Sequence, residues 1–119
     1  MAKKAELFHD DASKAKILDE SDPVSIKNLG KAVIGFDDKI WKSEAPKIMK
    51  TGLEAKFQQN EDLAMTLKDT GDKQIIEASE DPFWGAGVSL WSEHLFDPNY
   101  WSGENVLGHT LMTIREQLK

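Results

Sequence analysis

Residues 82–104 constrain this chain more than any other stretch. In 23 residues they hold three of the four Trp, the only Tyr, two of the five Phe, two Pro and three Gly, with neither helical nor strand periodicity. Such density is unusual in a non-periodic segment, because loops normally carry polar residues. The coarse reading is therefore a run of helices, this irregular aromatic segment, and one closing helix.

The helices are marked by their ends. Residues 2–9 read as the end of a helix, with Ala5 and Phe8 on one face and no N-cap before them. Asp10 or Asp11 caps a helix through about Asp19, with Ala15 and Leu18 inward. Asp22-Pro23 starts another that stops at Gly30. AVIGF at 32–36 reads as a brief extended piece. Ser43 opens a helix with Pro46 in its first turn, and Met49, Leu53 and Phe57 form its apolar stripe. Asn60 caps the next helix, with Leu63 and Leu67 inward and Gly71 at its end. KQIIEAS at 73–79 is the best strand candidate, broken by Asp81-Pro82. Gly103 and Asn105 open the last helix, with Leu107, Leu111, Ile114 and Leu118 inward and Gly108 implying a close neighbour. The expected class is mostly α with a few short strands (α+β), in a single domain over 1–119.

Composition removes several functions. The chain has no Cys, which excludes disulfides, thiolate metal sites and cysteine nucleophiles, and suggests a cytoplasmic protein. No apolar run approaches the ~18 residues of a membrane span, and no N-terminal apolar stretch reads as a signal peptide. The net charge of −6 is uneven: residues 1–57 carry 11 Lys against 10 acids, residues 58–119 carry 4 Lys and Arg against 11. Without a basic stripe, phosphate tracking along a duplex is disfavoured. His9, His94 and His109 have no metal-ligand spacing, and no Walker A, GxGxxG or GxSxG is present. Arg115 is the only arginine, either held for its planar fork or a surface residue of the last helix.

The stretch that carries chemistry is IIEASEDPFWGAG, residues 75–87. Asp81 lies three residues before Trp84, and Gly85 and Gly87 permit close backbone approach to a ligand. An indole face beside a carboxylate suits a flat heterocycle and its sugar, with stacking worth about 1–3 kcal/mol per base. The residues alone allow the other reading, in which Trp84 is a core aromatic and Asp81 caps a turn.

The sequence resembles the NADAR family, the YbiA-like N-glycosidases. The agreement includes GL-x-AKF at 52–57, TG at 70–71, IEAS-x-D-x-x-WG-x-G at 76–87 and G-x-N-x-LG-x-x-LM-x-x-R at 103–115. KKAELF at 3–8, Pro23, LGK at 29–31 and Trp41 follow in the family's order. The resemblance implies cleavage of the C–N bond between a ribose and an amine-bearing base. It covers both phosphoribosylamino-pyrimidine intermediates of riboflavin synthesis and ADP-ribosylated guanine, free or in nucleic acid, and does not separate them. It assigns Asp81 as an active-site aspartate, Trp41 and Trp84 as pocket tryptophans, and Lys4 as a lysine that forms a Schiff base with the opened ribose. Such a lysine must be neutral, so its pKa has to fall from ~10.4. Lys31 stands where many relatives carry Arg. Asn105 and Arg115 match the pattern too, the first as a helix cap or ligand contact, the second as a phosphate ligand or a tie for the last helix. No cofactor or metal is implied.

Two departures qualify the resemblance. The family's glutamate, seven residues before the lysine, would fall ahead of Met1, as would the N-terminal part that supplies short strands. The expectation is an N-terminally incomplete domain, enzymatic in lineage. The alternatives are a catalytically silent module binding ADP-ribose or a nucleotide, and a fragment completed by a partner chain or oligomer. Residues 89–103 read as a lid or pocket wall, or as a cover for apolar surface.

Overall fold

Aspartates placed just ahead of apolar stretches set the first helices. In the computed structural model, which describes all of residues 1–119, Asp10 precedes α2 (Asp11–Asp19) and Asp22 precedes α3 (Pro23–Lys31). Asp10 Oδ1 accepts the Ser13 N–H and Asp22 Oδ2 the Ser25 N–H, each at 3.1 Å. Both satisfy donors that a first helical turn leaves without intrahelical partners. Asp10 Oδ2 also takes the Ser13 hydroxyl at 2.7 Å and the Ile34 N–H at 2.9 Å, tying the start of α2 to the turn after α3. Upstream, α1 (Ala2–Leu7) leads into His9, whose φ of 57° turns the chain toward Asp10.

The chain divides into two units, Met1–Ile48 and Met49–Lys119. In the first, Ala5, Ile17 and Val33 are buried, with Phe8, Ile26 and Leu29 packed against them. Ala15 and Leu18, expected inward, are exposed. The Asp10–Ile34 tether fixes the phase of α2, and one residue is a rotation of about 100°, so Ile17 takes the inward position. Residues 32–36 form a turn rather than an extended piece. The long α4 (Asp38–Gln59) begins five residues before Ser43, because Asp37 Oδ1 caps it through the Ile40 N–H at 3.1 Å. Pro46 therefore lies inside the helix instead of in its first turn.

The second unit holds the end of α4, α5 (Glu61–Asp69), a long irregular segment with one 3-10 turn (Pro98–Tyr100), and α6 (Val106–Gln117). Leu67, Ala86, Val88 and Ile114 are buried within it, while Leu63 is exposed.

The expected α+β class with short strands is contradicted: the chain is all-helical and contains no strand. KQIIEAS shows why. At Ile75 and Glu77 its backbone is hydrogen bonded not by a neighbouring strand but by one side chain. Asn105 Oδ1 accepts the Glu77 N–H and Asn105 Nδ2 donates to the Ile75 carbonyl, both at 2.9 Å. A parallel neighbour bonds alternate residues in the same way, so the amide replaces a strand with a single contact. Further on, the Ala86 N–H donates to the Glu77 carbonyl and the Gly87 N–H to the Ser79 carbonyl. The first N–H groups of α6, from Val106 and Leu107, reach the carbonyls of Phe83 and Trp84 at 3.1 and 3.2 Å. The aromatic segment thus caps the last helix.

Candidate active site

The expected site residues fall into separate groups. In the first unit α1 carries Lys4, which is only 8% exposed. Its Nζ lies 4.6 Å from the Phe36 ring centroid and 5.4 Å from that of Trp41, in the first turn of α4. The Lys4 ammonium makes no hydrogen bond or ion pair. Burial pushes its pKa below the ordinary lysine value, while the ring faces attract the cation. Neighbouring Lys3 is exposed and pairs with Glu6 at 3.4 Å, and Lys14 reaches the same carboxylate at 3.2 Å. Lys31, at the end of α3, is exposed. An open groove of about 490 Å³ in this unit is walled by Lys3, Glu6, Leu7, His9, Asp11 and Ile48, not by Lys4.

Phe36 was not singled out from the sequence, although it completes the surroundings of Lys4. It follows Gly35, whose φ of 82° sets the turn, and meets Phe8 edge-on at 5.4 Å. The available signal was an aromatic behind a turn glycine, five residues before Trp41.

In the second unit Asp81 and Trp84 share one turn. Asp81 Oδ1 accepts the N–H groups of Phe83 and Trp84 at 2.8 and 2.9 Å, and the Asp81 side chain is exposed to solvent. Trp84 is half-buried and packs edge-on against Phe83 with centroids 5.0 Å apart. The amides of Gly85 and Gly87 are used internally, by the carbonyls of Asp81 and Ser79. Gly87, at φ 80°, has no room for a side chain: a methyl would strike Ser102 and Gly103. Asn105 is buried, at φ 51°, and its side chain holds residues 75–77 rather than capping α6.

Arg115 is 4% exposed. Its Nη1 donates to Thr70 Oγ1 at 2.9 Å and to the Lys73 carbonyl at 2.7 Å, joining α6 to the end of α5. Its Nε is buried without a partner, and no carboxylate forms an ion pair with it. No group of three or more His, Asp or Glu converges where a metal could sit.

The NADAR domain model matches residues 1–119, the full length of this chain. The chain belongs to the NADAR family. It is 42% identical over 118 residues to N-glycosidase R617 of Acanthamoeba polyphaga mimivirus, covering 98% of this chain and 69% of that protein. It is 34% identical to Protein irg-1 of Caenorhabditis elegans, over 99% of this chain and 57% of the relative. With N-glycosidase YbiA of Escherichia coli the identity is 30%, over 96% and 65%. This NADAR chain thus spans roughly three-fifths to two-thirds of the length of these relatives. None of its helices is long and apolar enough to cross a membrane.

Proposed function

We propose that this NADAR domain serves an N-glycosidase that releases an amine-bearing base from a ribose, carried as ribose phosphate or as ADP-ribose. The observation that carries the reading is Lys4: a desolvated amine beside two aromatic rings, with no carboxylate to hold it charged. Burial favours its neutral form, which is the nucleophile. In the reaction the sugar ring opens to an iminium at C1 and the Lys4 nitrogen adds to that carbon. The C1–N bond to the base then breaks and the base leaves with a proton on its amine. Water hydrolyses the remaining imine, giving the sugar aldehyde and restoring Lys4. No oxidant or reductant is consumed.

Trp41 would offer a ring face to the bound base or sugar beside Lys4. Asp81 keeps one oxygen on the Phe83 and Trp84 amides, and its other oxygen carries no bond within the chain. Within the second unit that free oxygen is suited to orient a hydroxyl or a water, and Trp84 in the same turn offers a ring face. The cytoplasmic setting belongs to the same proposal and rests on a Cys-free sequence.

The test is base release from ADP-ribosylated guanosine and from a phosphoribosylamino-pyrimidine, followed by chromatography with and without cyanoborohydride. Turnover of at least one substrate is expected. Cyanoborohydride should add the sugar mass to the peptide containing Lys4, and Lys4→Met and Asp81→Ala should each lower kcat/KM by about 10²-fold or more. Full activity in Lys4→Met would refute the covalent role. No release from either substrate by the wild-type chain, with ligand still bound, would replace hydrolysis by binding alone.

A further inference from the structure

The rings of residues 89–101 fall into two sets. Trp101 and His94 serve the segment itself: Trp101 Nε1 donates to the Leu95 carbonyl at 2.8 Å, and His94 stacks flat on Tyr100 with centroids 3.8 Å apart. Trp91 and Phe96, by contrast, are 89% and 92% exposed, and Leu90 and the edge of Tyr100 are open beside them in sequence. Single exposed hydrophobics are ordinary, whereas four within eleven residues mark an interaction surface.

The backbone that carries them is tied down. Ser89 Oγ accepts the Trp91 N–H, Ser92 Oγ the His94 N–H, and Asp97 Oδ1 the Asn99 N–H. Rings presented on such a framework need little ordering when a partner arrives. Along the sequence around them the fixed charge has one sign. From Gln74 to Ile114 there is no Lys or Arg and there are six carboxylates, of which Glu93 and Asp97 flank the exposed rings in sequence. Such a field repels nucleic-acid phosphates and anionic lipid. A Lys or Arg side chain is drawn both by the carboxylates and by the faces of Trp and Phe.

We infer that residues 89–101 form a docking surface for a cationic polypeptide segment of another protein, whose Arg or Lys side chains stack on Trp91 and Phe96 and pair with Glu93 and Asp97. The inference does not depend on the proposed chemistry of Lys4.

The experiment titrates the 119-residue chain into short dye-labelled blocked peptides of alternating Arg and Ala, Glu and Ala, or Ser and Leu, and follows anisotropy. Only the Arg peptide should bind, weakening about three-fold or more when salt rises from ~0.02 to ~0.5 M. The double variant Trp91→Ser, Phe96→Ser should lose about five-fold in affinity and Glu93→Lys about three-fold, with unchanged melting temperatures because these side chains lie in solvent. Equal binding of the Ser–Leu or Glu–Ala peptide, or no binding of the Arg peptide, overturns the inference. So does sedimentation showing self-association that the double serine variant abolishes, since the occupant is then a second copy.

Discussion

Replacing Asn105 tests the claim that one side-chain amide stands in for a strand. In Asn105→Ala the Ile75 carbonyl and the Glu77 N–H lose their partners. Each stripped group costs about 1–3 kcal/mol where water cannot replace the bond. Alanine must also adopt the φ of 51° that asparagine tolerates, at about 1 kcal/mol more. The expected loss is about 4 kcal/mol, a large part of a domain stability of roughly 5–15 kcal/mol. Asn105→Gly removes the same bonds but relieves the backbone, so it should be about 1 kcal/mol less damaging than alanine. Asn105→Asp keeps the acceptor for Glu77, loses the donor to Ile75 and sets a negative oxygen against that carbonyl, at about 2 kcal/mol. Urea unfolding followed by Trp fluorescence measures all three. With a slope of roughly 2 kcal/mol/M the alanine midpoint should fall by about 2 M. An alanine variant that loses less than about 1 kcal/mol, or that is more stable than the glycine variant, would refute the reasoning.

Three other outcomes follow from separate contacts. The Asp10 carboxyl is held below its ordinary pKa, first by the Ile34 N–H and then by Ser13. Its stabilisation is therefore present above the unfolded value of ~3.9 and lost as pH falls through the lower folded value. Asp10→Asn should lower stability at neutral pH and flatten the acid limb of a melting-temperature profile below pH ~4; an unchanged limb would count against the assignment. Lys4 has the opposite sign. Its lowered folded pKa means that charging it opposes folding, so stability rises with pH until both states are neutral. Lys4→Met should raise the melting temperature at pH ~7 and lose that advantage towards pH ~10.4; an equal gain at both values would remove desolvation as the cause. Arg115→Lys should cost about 2 kcal/mol in urea unfolding, because both bonds leave Nη1, one bond farther out than a lysine nitrogen reaches, and a buried ammonium gives up more hydration than a guanidinium. An unchanged urea midpoint would show that the reach of Nη1 is dispensable.

How far the sequence could be read depends on the range of each interaction. Asp10, Asp22 and Pro23 could be recognised because a cap acts on an N–H three residues away. Asp37 caps α4 by the same local rule, and Ser43, five residues inside that helix, only resembles a start. The Asp81 turn was also readable as local geometry, since its amide donors lie two and three residues on. The surroundings of Lys4 were not, because Phe36 and Trp41 approach only after the chain has turned through α2 and α3. The single Arg drew attention to position 115, but composition does not say that its partners are a threonine hydroxyl and a carbonyl on the far side of the long irregular segment.

KQIIEAS is the sharpest case, because a strand is defined by its neighbour and the pattern within seven residues carries no information about one. The neighbour is Asn105, 28 residues from Glu77 and 30 from Ile75. Its spacing to Gly108 gives the run G-x-N-x-L-G a physical meaning. A methyl at 108 would strike both the Ile75 carbonyl and the Asn105 amide. Only with glycine there can α6 come close enough for one side chain to reach both 75 and 77. The left-handed backbone at 105 releases that side chain from capping, and the carbonyls of Phe83 and Trp84 take over the cap. Those are residues of the Asp81 turn, so the contact that replaces a strand and the contact that starts α6 fix the same loop from two sides.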